Sequence, residues 1–164
     1  MDPTVHMTGP LDPRGGWVAD RCSIARSLDL LSARSTFLIL REAFYGTTRF
    51  ADFSERAGLS EPVAAGRLRE LVSDGLLELQ DYQEPGKRTR QSYRLTAKGA
   101  ELFPVLAALM QWGDRWLSKS GGPVELRHRG CGRRVEVQLR CTADHEVASG
   151  DLDLAPRPSA RASR

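Results

Sequence analysis

Two helix-forming segments and a cation-rich hairpin follow one another between Arg49 and Gly99, and this order constrains the fold more than any other feature. The helical segments meet at residues 57–60, where Gly58 can adopt the positive φ that a steep turn between two helices requires. Residues 76–82 and 91–95 then have the composition of two antiparallel strands joined by a short loop. This order predicts a winged helix-turn-helix, a mainly α fold with a small β-hairpin wing that binds DNA.

Helical periodicity continues on both sides of this stretch. Over residues 23–45, apolar residues recur every three or four positions, with a weak point at 32–36 where the helix is expected to bend or break. Thr96 is predicted to cap a last helix over residues 97–117. Pro104 lies inside this helix and should either kink it or shift its start.

The last predicted helix carries apolar residues on more than one side. They are Leu102, Phe103, Leu106, Leu109, Met110, Trp112 and Trp116. A small domain cannot easily cover them all by itself, so we expect a second copy of the chain to cover some of them in a homodimer through this C-terminal dimerisation helix. The alternative is that they pack only on the first helix of the same chain.

The second helix of the turn motif is the element expected to enter the DNA major groove. Its N-terminal half and the wing supply the predicted DNA-binding residues, which are Ser60, Glu61, Pro62, Ala64, Arg67, Arg69, Lys87, Arg88 and Arg90. Ser60 is expected to cap the helix or to hold a phosphate, while Arg67 is suited to a bidentate contact with guanine. Val63 and Leu68 are expected to face the core. Alternatively, Arg67 and Arg69 are solvated or paired with acids on their own helix.

Charge is concentrated in the predicted wing. The net charge of the 164 residues is +3, but between Gly86 and Lys98 the chain has Lys87, Arg88, Arg90, Arg94 and Lys98 and no acid, a distribution that attracts phosphate. A winged helix that binds a protein partner without specific DNA binding is the alternative, and it would not need these cations. No Ser/His/Asp grouping and no glycine-rich phosphate loop occurs in the predicted core, which argues against an enzyme.

The sequence also predicts where the protein resides. No apolar run approaches the roughly 20 residues of a membrane span, so no membrane partner is expected. Residues 1–20 lack the pattern of a signal peptide. The chain has three cysteines, an odd number, and they cannot all pair in disulfides within one chain. Because the sequence also shows no export signal, we expect a cytoplasmic protein with reduced thiols.

Six short motifs occur in a characteristic order. They are Cys22-Ser23-Ile24-Ala25, the LILRE of residues 38–42, Arg49-Phe50, Leu68-Arg69-Glu70-Leu71, Asp74-Gly75-Leu76 and the YRLTAKG of residues 93–99. Together they resemble the HxlR family of bacterial transcriptional regulators, which is related to the MarR-type winged-helix proteins. The resemblance covers roughly residues 22–117. It departs at Ser23, where the family usually has proline, and at 33–37, where the family has a Gly-Gly-Lys/Arg-Trp step.

The resemblance implies a homodimer that pairs through its first and last helices and binds an inverted repeat in double-stranded DNA near promoters. Repression by occlusion of a promoter is the expected output. Three possibilities are open for release: a small apolar effector between the first and last helices, modification of a thiol, or no inducing signal.

Cys22 directly precedes the first predicted helix. The helix N-terminus and the flanking Arg21 and Arg26 favour its thiolate form. Some members of the HxlR family sense oxidants or electrophiles through a cysteine at this place, which makes Cys22 a redox-sensor candidate. A half-buried structural cysteine is the other interpretation.

Residues 123–147 carry four metal-ligating side chains. His128, Cys131, Cys141 and His145 have the spacing H-x2-C-x9-C-x3-H, and two strands over 124–127 and 135–139 would bring both pairs to one end of a hairpin. Zn²⁺ bound as in a small zinc ribbon is one interpretation; a metal-free hairpin and a disulfide between the two cysteines are the others.

The predicted domain organisation has four parts. A flexible tail over residues 1–20 precedes the DNA-binding and dimerisation domain, which covers residues 21–118. The small hairpin over 123–147 follows. Residues 148–164 are expected to be disordered because of their glycine, proline, serine and arginine content.

Overall fold

A computed structural model describes residues 3–11, 22–31, 33–83, 85–86 and 88–155. The chain divides into two compact units, one of residues 26–135 and one that combines residues 1–25 with 136–164. In chain order the elements are β1 (His6–Met7), α1 (Ser23–Leu31), α2 (Arg34–Phe44), α3 (Phe50–Ala57), α4 (Glu61–Ser73), β2 (Leu77–Tyr82), β3 (Arg90–Leu95), α5 (Ala97–Ala100), α6 (Phe103–Trp116) and β4 (Asp153–Leu154).

The core of the larger unit lies among α2, α3, α4 and the base of the hairpin. Its fully buried side chains include Ile39, Leu40, Phe53, Ala64, Leu68, Leu71, Leu76 and Leu77. The three core residues of α4 follow the spacing i, i+4, i+7, which places them on one side of the helix. The other side of α4 is therefore left for solvent or a partner.

The turn between α3 and α4 is formed as predicted. Gly58 ends α3 in the left-handed region with a φ of 63°, and its amide donates to the carbonyl of Glu55 at 3.1 Å. The Ser54 hydroxyl donates to the carbonyl of Leu59 at 2.9 Å and fixes the exit from the turn. Ser60 occupies the N-cap position of α4, but its side chain makes no capping hydrogen bond, so the predicted capping contact is absent.

The wing is a two-stranded antiparallel sheet. β2 and β3 pair from Leu77 with Leu95 at the base to Tyr82 with Arg90 near the tip. At the base, the Thr96 hydroxyl donates to the carbonyl of Gly75 at 2.6 Å and accepts from the amide of Gly99 at 3.0 Å. The predicted capping role of Thr96 is confirmed. The same side chain connects α5 to the turn that follows α4, the helix expected to enter the DNA groove.

Gly99 is the position where α5 passes closest to the base of the wing. A Cβ atom there would lie 2.1 Å from the carbonyl oxygen of Leu76, which accepts a hydrogen bond from the amide of Thr96. We expect Gly99→Ala to lower the free energy of unfolding by about 1–3 kcal/mol, as measured by urea denaturation. Gly113→Ala is the control, because Gly113 lies in α6 with nothing within 4 Å of the added atom. Equal loss in both variants would contradict the prediction.

Both long predicted helices are divided. The first separates into α1 and α2 around Ala33, which has an extended ψ of 137°, in agreement with the predicted weak point. The last separates into α5 and α6, and Pro104 lies in the first turn of α6, where its missing N–H costs no helical hydrogen bond. Of the two outcomes expected for Pro104, the shifted start is the one observed.

The terminal segments differ from the predicted tails. In the smaller unit, β1 and β4 form a short parallel pair, in which the amide of His6 donates to the carbonyl of Leu152 at 2.9 Å. The expectation of tails without regular structure is therefore wrong at these strands, because backbone hydrogen bonds between distant segments do not depend on an apolar composition. Residues 1–2, 12–20 and 156–164 of the predicted tails lie outside the described residues, as does Arg21.

The predicted hairpin over 123–147 is reduced to two separate turns. Arg127 and Arg134 form one isolated antiparallel bridge in the larger unit, and Arg140 and Glu146 form another in the smaller unit. The predicted pairing of 124–127 with 135–139 is limited to one hydrogen bond, from the amide of Val135 to the carbonyl of Leu126 at 2.8 Å, and no strand ladder forms over these described residues. Side chains over 127–146 are exposed, so a longer ladder would have no packed face to stabilise it.

Candidate nucleic-acid interface

The face of α4 opposite the core forms an accessible strip. Pro62, Gly66, Arg69 and Ser73 follow one another at spacings of four, three and four residues, and each is exposed or half-exposed. We call these four residues the α4 strip. Ser60 and Glu61 are also exposed at the N-terminal end of the helix, where backbone N–H groups and the helix dipole favour a phosphate.

Two residues of α4 face opposite ways from their predicted positions. Ala64 is 0% exposed and belongs to the core, so its predicted contact with DNA is wrong. Val63 is 47% exposed, although the sequence pattern placed it in the core. Adjacent helical residues differ by about 100° in direction, and the stripe formed by Ala64, Leu68 and Leu71 excludes Val63.

Arg67 is held between two helices. Its Nε donates to the hydroxyl of Ser35 on α2 at 3.2 Å, and its guanidinium pairs with the carboxylate of Glu70 one turn along α4. This is the predicted alternative in which Arg67 pairs on its own helix. A bidentate contact to guanine stays a prediction, and it requires Arg67 to leave both partners.

The positive charge of Arg69, a residue of the α4 strip, acts on the phenol of Tyr93 on β3. Burial raises the pKa of the Tyr93 phenol, and the positive charge of Arg69 partly opposes this by lowering it. The Tyr93 ring also packs edge-on against Phe53, with 5.8 Å between the ring centroids. The phenol stays protonated at neutral pH, so it adds no negative charge beside the reading helix.

The wing presents its cations to the exterior. Arg88 and Arg90 are exposed and form no ion pair within the described part of the chain, while Lys87 lies outside the described residues. Lys98 is used differently, because its Nζ donates to the carbonyl of Asp74 at the end of α4 at 2.6 Å. Free cations near the tip of the wing are available for phosphate contacts.

Sequence reasoning missed a pair that links α3 to the wing. The guanidinium of Arg49, directly before α3, lies 5.5 Å from the ring centroid of Tyr82 at the end of β2. A cation over an aromatic face is stabilising, and this one brings a further positive charge to the side of the wing. No local pattern could have revealed it, since the two residues are far apart in sequence.

The helix α6 carries an exposed apolar stripe. Val105, Leu109, Trp112 and Trp116 follow the spacing i, i+4, i+7, i+11 and are 49%, 52%, 55% and 68% exposed. We call these four residues the α6 stripe. Between α2 and α6 there is also an apolar cleft of about 260 Å³, lined by residues that include Phe37, Leu38, Phe44, Phe103, Leu106 and Met110.

A model of the HxlR-like helix-turn-helix family matches residues 30–121, more than half of the chain. The chain belongs to this family. It is 39% identical over 142 residues to an uncharacterized HTH-type transcriptional regulator of Mycobacterium tuberculosis, a match that covers 85% of this chain and 89% of the relative. The HxlR-like resemblance inferred from the six motifs is thereby confirmed.

Solved structures confirm the winged-helix fold of this HxlR-like chain. The crystal structure of PA1607, described as a candidate transcription factor, has 35% identity and a TM-score of 0.72, and the match covers 86% of this chain and 96% of PA1607. The reduced form of the transcriptional regulator YodB from Bacillus subtilis has 28% identity and a TM-score of 0.50, with coverage of 58% and 92%. The protein is thus a transcriptional regulator of helix-turn-helix type, not an enzyme, and this implies DNA binding.

The predicted sensor cysteine lies eight residues before the start of the HxlR-like match at residue 30. Cys22 directly precedes α1 at Ser23, as the sequence predicts, and its side chain is half-buried with a free thiol. This position is compatible both with a sensor and with a structural cysteine. Its redox role stays a prediction.

The four predicted zinc ligands fall in different units. In the larger unit, Nδ1 of His128 lies 3.1 Å from Sγ of Cys131, and both side chains are exposed. Cys141 and His145 belong to the smaller unit, where the amide of Cys141 donates to the carbonyl of His145 at 3.0 Å. Over the described ranges, no group of three or more His, Cys, Asp or Glu residues is placed to hold a metal ion. Both cysteines are free thiols, and Zn²⁺ binding stays a prediction.

Within the described residues, no helix combines the length and the apolar character needed to cross a bilayer.

Proposed function

We propose that this HxlR-like protein is a homodimeric repressor that binds an inverted repeat in a promoter. The observation that carries the proposal is the α6 stripe, in which four large apolar side chains of one helix face are each about half exposed or more. Contiguous apolar surface of this kind is characteristic of a protein–protein interface. A second copy of the chain offers an identical stripe, and self-complementary contact of this kind is the most common symmetry of homo-oligomers.

We call α4 together with the wing of the same chain the reading head. A dimer supplies the additional DNA-binding surface that a single reading head lacks. One head offers α4 and one wing, which bury too little surface for tight specific binding. Two heads related by a two-fold axis would place two α4 helices about one DNA turn apart, roughly 34 Å, and would therefore select a site with the same two-fold symmetry. Bound at a promoter, such a dimer would exclude the transcription machinery by occupying its site.

Release from DNA is proposed to follow either a small apolar ligand or thiol modification. The cleft between α2 and α6 is of a size and polarity suited to a small apolar molecule. The regulator YodB, to which this chain is similar, was solved in a reduced form, and this supports the proposal that a redox signal acts on this chain. In this chain the corresponding signal is assigned to Cys22.

The deciding experiment is a titration of the purified full chain with its own upstream DNA at two salt concentrations, with and without the thiol oxidant diamide. We expect selective binding that weakens at the higher salt concentration. Loss of binding in diamide that is prevented by Cys22→Ser would establish the thiol signal. Cys131→Ser and Cys141→Ser are the matched controls, and both should still lose binding in diamide. Binding that is indifferent to diamide would reject the thiol signal and leave a ligand in the cleft, or no inducing signal, as the remaining possibilities.

The rival function is a winged helix that binds a protein without specific DNA binding. If neither the upstream DNA nor a library of genomic fragments yields a selected site, the repressor proposal is wrong. Selection of fragments with an inverted repeat would reject the rival.

A further inference from the structure

We propose that Val63 is a specificity-determining residue that packs against the C5 methyl group of a thymine in each half of the DNA site. This inference rests on the proposed function and names the base that one position of α4 reads. Val63 is the third residue of α4 and lies in the half of the helix that approaches base edges in a helix-turn-helix.

The first observation is the position of Val63 within the helix-turn-helix. From Phe50 to Ser73, a segment that the structure describes completely, Val63 is the only large apolar side chain that is exposed. A single exposed valine elsewhere on a protein would need no explanation. Here it lies beside the α4 strip, on the helix that enters the groove.

The second observation is that Val63 is neither in the core nor among the partly buried apolar residues packed against it. Ala64 fills the core at the neighbouring position, so the side chain of Val63 is not needed there. A β-branched residue is also a weaker helix former than alanine. Gly66, one turn along α4, has no side chain, and a Cβ placed on it would meet nothing within 4 Å, so the helix surface next to Val63 is also open.

The chemistry of the major groove then identifies the partner. Base edges there present hydrogen-bond donors and acceptors, and the thymine C5 methyl is the apolar group among them. A valine side chain has no hydrogen-bonding group, so it can pack favourably against this methyl group. Against the polar edge of another base, it would leave hydrogen-bonding groups without a partner. An A·T pair is therefore expected opposite Val63 in each half-site.

The test uses the selected DNA site and duplexes in which each thymine is replaced in turn by deoxyuridine, together with its symmetry mate. Deoxyuridine lacks the methyl group and keeps the pairing. At one position we expect affinity of the full-length protein to fall about fourfold for each half-site, or about 15-fold for both, as loss of one buried methyl predicts. Val63→Ala should bind the thymine and deoxyuridine duplexes at that position equally well.

Val124→Ala is the matched control, because Val124 is 52% exposed and lies outside the helix-turn-helix. This variant should keep the wild-type preference for thymine, and circular dichroism should show unchanged helicity in both variants. If no thymine is discriminated, or if Val63→Ala discriminates the same thymine as the wild type, the inference is wrong while the repressor proposal stands. Failure to select any DNA site would overturn both.

Discussion

Replacing Trp112 with glutamate is expected to leave a folded monomer whose affinity for the inverted repeat falls by about 100-fold or more. Trp112 is in the α6 stripe and more than half exposed in the single chain, so the change should cost the fold little. In a dimer the new carboxylate would lose its hydration without a partner, which is strongly unfavourable. Two linked heads gain about 10²–10⁴ in affinity over one, and that gain would be lost. Sedimentation velocity and a DNA titration measure the two effects.

Val124→Glu provides the control for the added charge. Val124 has nearly the same exposure as Trp112 but lies beyond the end of α6. We expect this variant to remain dimeric and to bind DNA as the wild type does. A Trp112→Glu protein that sediments as a dimer and keeps full affinity would show that the α6 stripe is not the interface.

The parts of the fold that depend on local signals were predictable from the sequence. Gly58 marks the turn, Thr96 caps the helix after the wing, and the two strands of the wing lie where their composition predicts them. Each signal acts within a few residues, where backbone stereochemistry and side-chain hydrogen bonds decide the conformation. The HxlR-like identity followed from the order of these same motifs.

The orientation of α4 was not predictable, because its sequence permits two core stripes. Val63 and Ala64 are both apolar, and valine is the more hydrophobic, so the pattern favoured Val63 as a core residue. Packing against the neighbouring helices instead admits the smaller Ala64. The choice depends on the space between helices, which the periodicity of one helix does not contain.

Contacts between distant residues were also outside the reach of the sequence. Arg67 meets Ser35, and Arg49 meets Tyr82, although neither pair belongs to one helix or one strand. An arginine on a reading helix looks the same in sequence whether it points to DNA or to another helix. The sequence therefore could not show that Arg67 has partners within the protein, and the DNA contacts of Arg67 and of the wing cations both stay predictions.

Neutralising Lys87, Arg88 and Arg90 together by glutamine is expected to weaken binding to all DNA sequences by a similar factor. Arg88 and Arg90 are exposed, so their removal should leave the fold intact. A cation that contacts phosphate releases counterions, and each lost contact makes the plot of log affinity against log salt shallower by about 0.9. Three lost contacts reduce the slope by about 2.7 for each head. Titrations between about 50 and about 200 mM salt resolve this change.

The control is a variant with the same loss of charge elsewhere on the larger unit. Lys119, Arg129 and Arg133 are exposed and lie outside both the reading helix and the wing, and their replacement by glutamine also removes three positive charges. If attraction were a property of net charge alone, both triple variants would lose affinity and salt dependence equally. If the wing cations contact phosphate, the control variant keeps nearly the wild-type slope of log affinity against log salt. Unchanged DNA affinity in the wing variant would mean that the wing does not contact DNA, and the positive charge there would then need a different partner.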